Sequence, residues 1–308
     1  MGQIGNCLCI AGCARRRRPP CTHRRCHASR RSAPASRSLL WQTLSFPASA
    51  LLLLLVLAPA AAAPSCARPA IIAGIGADGT LVLAATAESA SDVVLAGIDI
   101  PDGTGSRATI AAAARRQLAE LLTGQPVCLA TAADPAAGGD AADLDRYGRL
   151  AAQVQRADGL WVQGRLLAEG LARVHPTPSA RSRIAEMLTI EAQARADRRG
   201  LWRLASGRIQ PADAVDPATT GLQIIEGRVL EAERRGDWWY LNFGADWRRD
   251  FTVTLHKRAL PLFAGAGIEP FALRGKVIRV RGVLQWLNGP MIEVLVPEQI
   301  EIAGIAAG

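Results

Sequence analysis

The chain has 308 residues, 49% of them apolar and 20% charged, the balance of a globular protein with room for two domains. Its formal charge of +9 is that of a nucleic-acid binder until it is located. Residues 1–63 carry nine arginines and no acidic residue, and the other 27 basic side chains are matched by 27 acidic ones, so bulk charge gives no support for nucleic-acid binding by the folded part.

The same first segment holds Cys7, Cys9, Cys13, Cys21 and Cys26, leaving only Cys66 and Cys128 beyond it. With His23 and His27 the early cysteines suggest a metal cluster. They lack standard zinc spacing, however, and no apolar pattern surrounds them, so an unstructured basic leader is the simpler reading. After Pro47 comes the apolar run Ala48–Leu57, followed by the small residues Ala58–Ala63. A basic stretch, an apolar core and a small-residue end make a secretory signal peptide, with cleavage expected near Ala63. Its basic part is unusually long, and a true start near Leu39 or Leu40 would explain that. An uncleaved membrane anchor over 39–63 is the alternative, which Pro47 disfavours by interrupting the helix. The expectation is therefore an exported protein, periplasmic or secreted. In an oxidising compartment Cys66 and Cys128 are candidates for a disulfide, with buried free thiols as the alternative.

Beyond the leader, Ala70–Ala73 and Leu81–Leu83 read as strands around the turn Ala77-Asp78-Gly79-Thr80. A third strand, Val93–Ile98, runs into Asp99-Ile100-Pro101-Asp102, where Pro101 ends any central ladder and leaves two carboxylates at a strand end. Ile110, Ala114, Leu118 and Leu121 fall at helical spacing, closed by Gly124. Pro126–Ala130 is a fourth strand, 134–143 a loop, and Leu150–Val154 a fifth strand leading through the Asp158-Gly159 turn to Leu160-Trp161-Val162. Two helices follow, one from Val162 to a cap at Gly170, the other turning Ile184, Leu188 and Ala192 inward. Strands in this order with helices packed on them point to a small barrel of the OB kind over 64–205. Residues 206–220, with Pro211 and Pro217, read as a linker. In 221–308 the strands Ile224–Leu230, Trp238–Phe243, Phe251–Leu255, Val277–Leu284 and Ile292–Val296, with an Asn288-Gly289 hairpin, suggest a second OB-like β-barrel.

Chemistry concentrates at Asp145-Arg146-Tyr147-Gly148-Arg149. Arg149 offers planar donors suited to phosphate, Arg146 adds a second cation, and Tyr147 offers a face for a base. Taken alone, this run is more often a structural turn with surface arginines. Asp99 and Asp102 supply hard oxygen ligands or a general base. In the C-terminal unit Trp238 and Tyr240 share one strand face, with Trp239, Leu241 and Phe243 on the other; with Arg279 and Arg281 they suggest an aromatic, basic nucleic-acid surface, the alternative being a barrel packed on its neighbour.

Over roughly residues 70–203 the chain resembles the thermonuclease family, the staphylococcal-nuclease-like domains. The resemblance rests on Leu95–Asp102, Asp145–Arg149, Asp158-Gly159, Gly170–Val174, Glu191–Arg195 and Gly200-Leu201-Trp202, in matching order and spacing. It implies calcium-dependent hydrolysis of DNA or RNA phosphodiesters. Asp99 would be a calcium ligand, with Asp78 the nearest residue to the second ligand position. Asp102 would occupy the position of the family's glutamate, Arg149 would be one of its two catalytic arginines, and Tyr147 with Arg146 would line the nucleotide site. The departures are specific. The second calcium aspartate falls at Gly79, the second arginine falls at Val94, and Asp102 is one methylene shorter than glutamate. The competing reading is a module on the same fold that binds nucleic acid, polysaccharide or protein without cleaving it.

Overall fold

The computed structural model describes residues 66, 68–84, 92–132, 144–145, 147–246 and 248–302. The leader over 1–63, the loop over 134–143 and Arg146 lie outside the described residues. Among those described, no helix is long and apolar enough to cross a membrane.

Five strands close into a barrel in the order β1-β2-β3-β6-β5. They are β1 (Pro69–Ile75), β2 (Leu81–Leu83), β3 (Val93–Leu95), β5 (Pro126–Thr131) and β6 (Leu150–Arg156), with the short β4 (Ile98–Asp99) lying outside the ring. Only β3 and β6 run parallel within it, and closure leaves no unpaired edge. The inward row of Ile72, Leu81, Val93, Leu95, Leu129 and Val154 fills the barrel. Helices α1 (Ala108–Leu122), α2 (Val162–Ala168) and α3 (Ile184–Ala196) cover it. On α1 the fully buried positions are Ala111, Ala114, Leu118 and Leu122, while Ile110 and Leu121 pack at the margin, so the apolar stripe is wider than the sequence spacing alone indicates. The expected third strand is broken at Gly97, whose φ of 78° turns β4 away to pair with β7 (Arg173–Val174). Cys66 and Cys128 form a disulfide that ties the chain before β1 to β5.

Helix α3 packs Ile184 and Leu188 on the core as expected but departs at Ala192. Ala192 is exposed, and the inward positions are Ile184, Met187, Glu191 and Ala194. A carboxylate occupies a core-facing site because a partner waits for it there.

That partner comes from the C-terminal half, whose strands lie in two sheets. They are β8 (Gln210–Pro211), β9 (Leu222–Arg228), β10 (Glu231–Arg235), β11 (Trp238–Asn242) and β12 (Thr252–His256), then, after the short helix α4 (Leu260–Gly265), β13 (Val277–Val283), β14 (Gln285–Trp286), β15 (Pro290–Val294) and β16 (Ile300–Ile302). One sheet has the order β10-β11-β12-β15-β14 and the other β16-β13-β9-β8, enclosing an apolar core that includes Ile225, Trp239, Phe251, Phe263, Ile278 and Ile292. Where the sequence suggests one OB-like barrel, the strands are divided between these two sheets. The stretch read as a linker over 206–220 is built in: β8 pairs with β9, and Ala212 is buried in the core. The polar strand β10 carries charge on both faces at a sheet edge, which hides it from any alternation pattern. The Asn288-Gly289 hairpin forms as expected, with both residues at positive φ.

Arg281 of β13 reaches α3. Its Nη2 lies 2.9 Å from Glu191 Oε2 and 2.6 Å from Glu301 Oε1, and its Nη1 donates to Glu191 Oε1 and to the Val174 carbonyl. The Val174 N–H donates to Glu191 at 2.7 Å. Burial works to lower the Arg281 pKa, but the two glutamates outweigh it and hold the pKa above the ordinary value. Burial would raise the Glu301 carboxyl, and Arg281 instead holds it below the usual range. A second bridge, Arg181 to Glu298 at 2.6 Å, and the cluster of Ala194, Trp202, Ile209 and Ile224 complete the junction.

Two stability measurements test these ties. Arg281→Met leaves Glu191 buried beside an apolar side chain and is expected to cost about 3–5 kcal/mol in urea unfolding, most of it recovered in the Arg281→Met, Glu191→Leu double variant. Cys128→Ser opens the covalent link across a sequence separation of 62 residues. It is expected to cost about 4 kcal/mol by chain entropy, read as a lowered urea midpoint.

Candidate functional site

One cavity of about 570 Å³ sits at the mouth of the barrel and is lined by Asp78, Val94, Asp99, Asp102 and Arg149 among others. Four residues separated along the sequence by up to 71 positions are thus gathered at one place: Asp99 from the end of β4, Asp102 from the loop after it, Asp78 from the β1–β2 turn and Arg149 from just before β6.

The turn is set by Gly79, whose φ is 83° and whose missing Cβ would lie 2.8 Å from the Ile100 methyl tip. An aspartate there would be strained in backbone and crowded in side chain. Asp78 instead accepts from the Thr80 N–H at 3.0 Å and binds Arg149 Nη1 at 2.9 Å. Burial works against its charge, but the Thr80 and Arg149 contacts prevail and lower its pKa.

Arg149 is held from a second side by Asp145, at 2.8 Å to its Nε, and Nη1 also reaches Thr80 Oγ1 at 3.1 Å. Burial opposes its charge, and the bonds to Asp145 and Asp78 more than offset that, raising its pKa. Only Nη2 has no protein partner among the described residues. Asp145 organises the whole turn: it accepts from the backbone N–H of Tyr147 at 2.8 Å and of Arg149 at 3.0 Å. Tyr147 is 66% exposed, with the Arg149 guanidinium carbon 5.2 Å from its ring centroid. It stands beside the cavity without lining it. Arg146 lies outside the described residues.

The remaining acids are also committed. Asp99 pairs with Arg173 at 3.1 Å, directly across the β4–β7 ladder. Burial lowers the Arg173 pKa, and Asp99 offsets only part of the effect. Asp102 accepts from the Thr104 N–H and hydroxyl at 3.3 and 3.0 Å and pairs with Arg107. Burial would raise its pKa, and these contacts lower it instead. Sequence reading missed Asp145 as an organiser and Arg107 and Arg173 as counter-ions. Arg173 stands within the family-like run Gly170–Val174, but its partner is 74 positions away and no local pattern links them.

Residues 92–204 match the family model described as staphylococcal nuclease homologue. This segment is staphylococcal-nuclease-like. No curated protein matches the chain. The matched segment begins after β1 and β2, so the turn carrying Asp78 and Gly79 completes the barrel from outside it. The staphylococcal-nuclease family is in general calcium-dependent and acts on nucleic acid. Calcium takes six to eight oxygen ligands. Here no three His, Cys, Asp or Glu side chains among the described residues converge as a metal group, and Asp78, Asp99 and Asp102 each already face an arginine. The residues as arranged do not fit the ion.

What the site retains is one guanidinium arm for a phosphate oxygen and an exposed aromatic ring next to it. The clasp on Arg149 can be titrated. Because the Asp145 pKa is lowered, its contribution is complete above the ordinary aspartate value and lost as the pH falls through the depressed one. Asp145→Asn is expected to destabilise the fold by roughly 1–2 kcal/mol at neutral pH. In urea unfolding at stepped pH, the difference from wild type should persist to about pH 4 and vanish in stronger acid.

Proposed function

We propose that the staphylococcal-nuclease-like domain serves as a nucleic-acid contact on an exported protein and hydrolyses phosphodiesters poorly. The observation that carries this reading is the internal pairing of the cavity: Asp78 with Arg149, Asp99 with Arg173, and Asp102 with Arg107. A cleavage site needs uncommitted charge aimed at the reacting phosphorus. Here the adjoining positions are Val94, which donates nothing, and Gly79, which offers no carboxylate. The loss of one preorganised donor costs about 10²–10³ in rate, and this site lacks more than one group. Arg149 Nη2, with no protein partner among the described residues, is a phosphate donor, and the Tyr147 ring beside it is 66% exposed, which supports contact with a single strand. The neutral balance beyond residue 63 implies modest affinity with a shallow salt dependence.

The leader composition supports export, and the Cys66–Cys128 disulfide fits an oxidising compartment. In this reading the two C-terminal sheets are a ligand-binding companion to the barrel. Hydrolysis is the second reading, favoured by the presence of Asp99, Asp102 and Arg149 around one cavity.

The deciding experiment incubates protein starting at Pro64 with single-stranded DNA and RNA, in calcium or in chelator, and follows both binding and chain length. The expected result is weak binding, reduced about threefold or more by Arg149→Ala, with equal and negligible cleavage in calcium and chelator. Calcium-dependent cleavage abolished by Arg149→Ala would establish the enzyme instead. Absence of both binding and cleavage would remove nucleic acid as the partner.

A further inference from the structure

The sheet β10-β11-β12-β15-β14 has two unlike faces. Trp239, Leu241, Val253, Leu255, Ile292 and Val294 enter the core. Alternate residues emerge on the opposite face, and the strand register lines up Glu233, Tyr240, Thr254 and Glu293 in one row across four strands. A cavity of about 310 Å³ lies on this face, with Trp238, Tyr240, Leu287 and Met291 supplying its apolar walls and Glu233 and Glu293 its charge.

Of the two readings the sequence offers for this half, the aromatic and basic surface does not form, and Arg281 instead packs on the neighbouring barrel. Arg279 and Arg281 lie on β13 in the other sheet, where Arg279 binds Glu226 and Glu301 and Arg281 is buried against Glu191. The aromatic pair therefore faces acids. The one arginine in the cavity wall, Arg235, is already spent on Glu233, at 2.9 Å to Oε1, and Glu233 also accepts from Asn242. Glu293 is half-buried and has no hydrogen bond or ion pair among the described residues. The Tyr240 hydroxyl and the Trp238 indole N–H likewise have no hydrogen-bond partner among the described residues.

A partly desolvated carboxylate without a counter-ion among the described residues, lining one cavity with two aromatic rings, is matched by a positive charge. An anionic ligand would meet Glu293 with no uncommitted cation among the described residues of the cavity wall to compensate. We infer that this face binds an organic cation, an ammonium or guanidinium group on an apolar stem. The head would lie against Glu293 and the rings of Trp238 and Tyr240, and the stem along Leu287 and Met291. A free amine and a lysine side chain of a partner protein share this chemistry. The inference is independent of the barrel cavity and of nucleic-acid contact.

Calorimetric titration of the purified chain tests it with n-pentylammonium, its neutral isostere n-pentanol, and a terminally blocked lysine peptide. The ammonium should give saturable binding that weakens as ionic strength rises, with pentanol about tenfold weaker or undetectable. Glu293→Gln and, separately, Trp238→Leu should each weaken the ammonium about tenfold, with the thermal unfolding midpoint of Glu293→Gln unchanged. Much tighter binding of the peptide would assign the site to a partner's lysine, and equal binding to a free amine; both uphold a cation site. Equal affinity for pentanol, unchanged affinity in Glu293→Gln, or no saturable heat with either cation overturns it.

Discussion

The buried contact between Arg281 and Glu191 is the constraint on which the relation of the two halves depends. Both side chains are almost wholly out of water, at 1% exposure each, so each charge relies on the other, with Glu301 supporting Arg281 and Arg195 supporting Glu191. Glu191 also accepts the Val174 N–H, and Arg281 donates to the Val174 carbonyl, so this one pair fixes the short strand β7 from both of its polar groups. The next residue on that strand, Arg173, holds Asp99 at the cavity. A single chain of polar contacts thus runs from the C-terminal sheet through β7 to the acid at the end of β4. The C-terminal half is in this sense part of the scaffold that positions the barrel's site.

At the cavity the same principle has a different consequence. Carboxylates and guanidiniums close to one another neutralise each other unless the fold keeps them apart. Here the fold brings them together: the β1–β2 turn points Asp78 at Arg149, and the β4–β7 ladder sets Asp99 across from Arg173. Val94 adds no charge to break the balance. The arrangement stabilises the barrel mouth and leaves little potential for drawing in a polyanion or stabilising charge that develops during reaction.

The C-terminal sheet follows the opposite pattern: one cavity is lined by a committed pair at Glu233 and Arg235 and, two strands beyond Tyr240, by Glu293, a carboxylate with no partner among the described residues. Side-chain alternation along β11 dictates that Trp238 and Tyr240 share the outer face, since Trp239 and Leu241 are needed inside. What accompanies them on that face is decided by the neighbouring strands. Parallel pairing of β12 with β15 brings Glu293 alongside Thr254 and places β13, with its arginines, in the other sheet.

Much of the fold was legible in local pattern. The barrel strands, the helix caps at Gly124 and Gly170, the Asp158-Gly159 and Asn288-Gly289 turns and the outward pair Trp238 and Tyr240 all follow from periodicity and from residues that tolerate positive φ. The matched family segment was carried by runs such as Asp145–Arg149 and Gly170–Val174. Other features were not local. The inward phase of α3 depends on Glu191, which reads as surface until Arg281, 90 positions later, is seen to meet it. The absorption of 206–220 into a sheet depends on β9, and the division of the C-terminal strands between two sheets depends on their order in space. The sequence by itself determined which residues can bear charge, turn the chain or fill a core, because those are properties of single side chains and short periods. Only the tertiary structure decided which charge meets which, because pairing is set by distance in space between residues that the chain holds far apart.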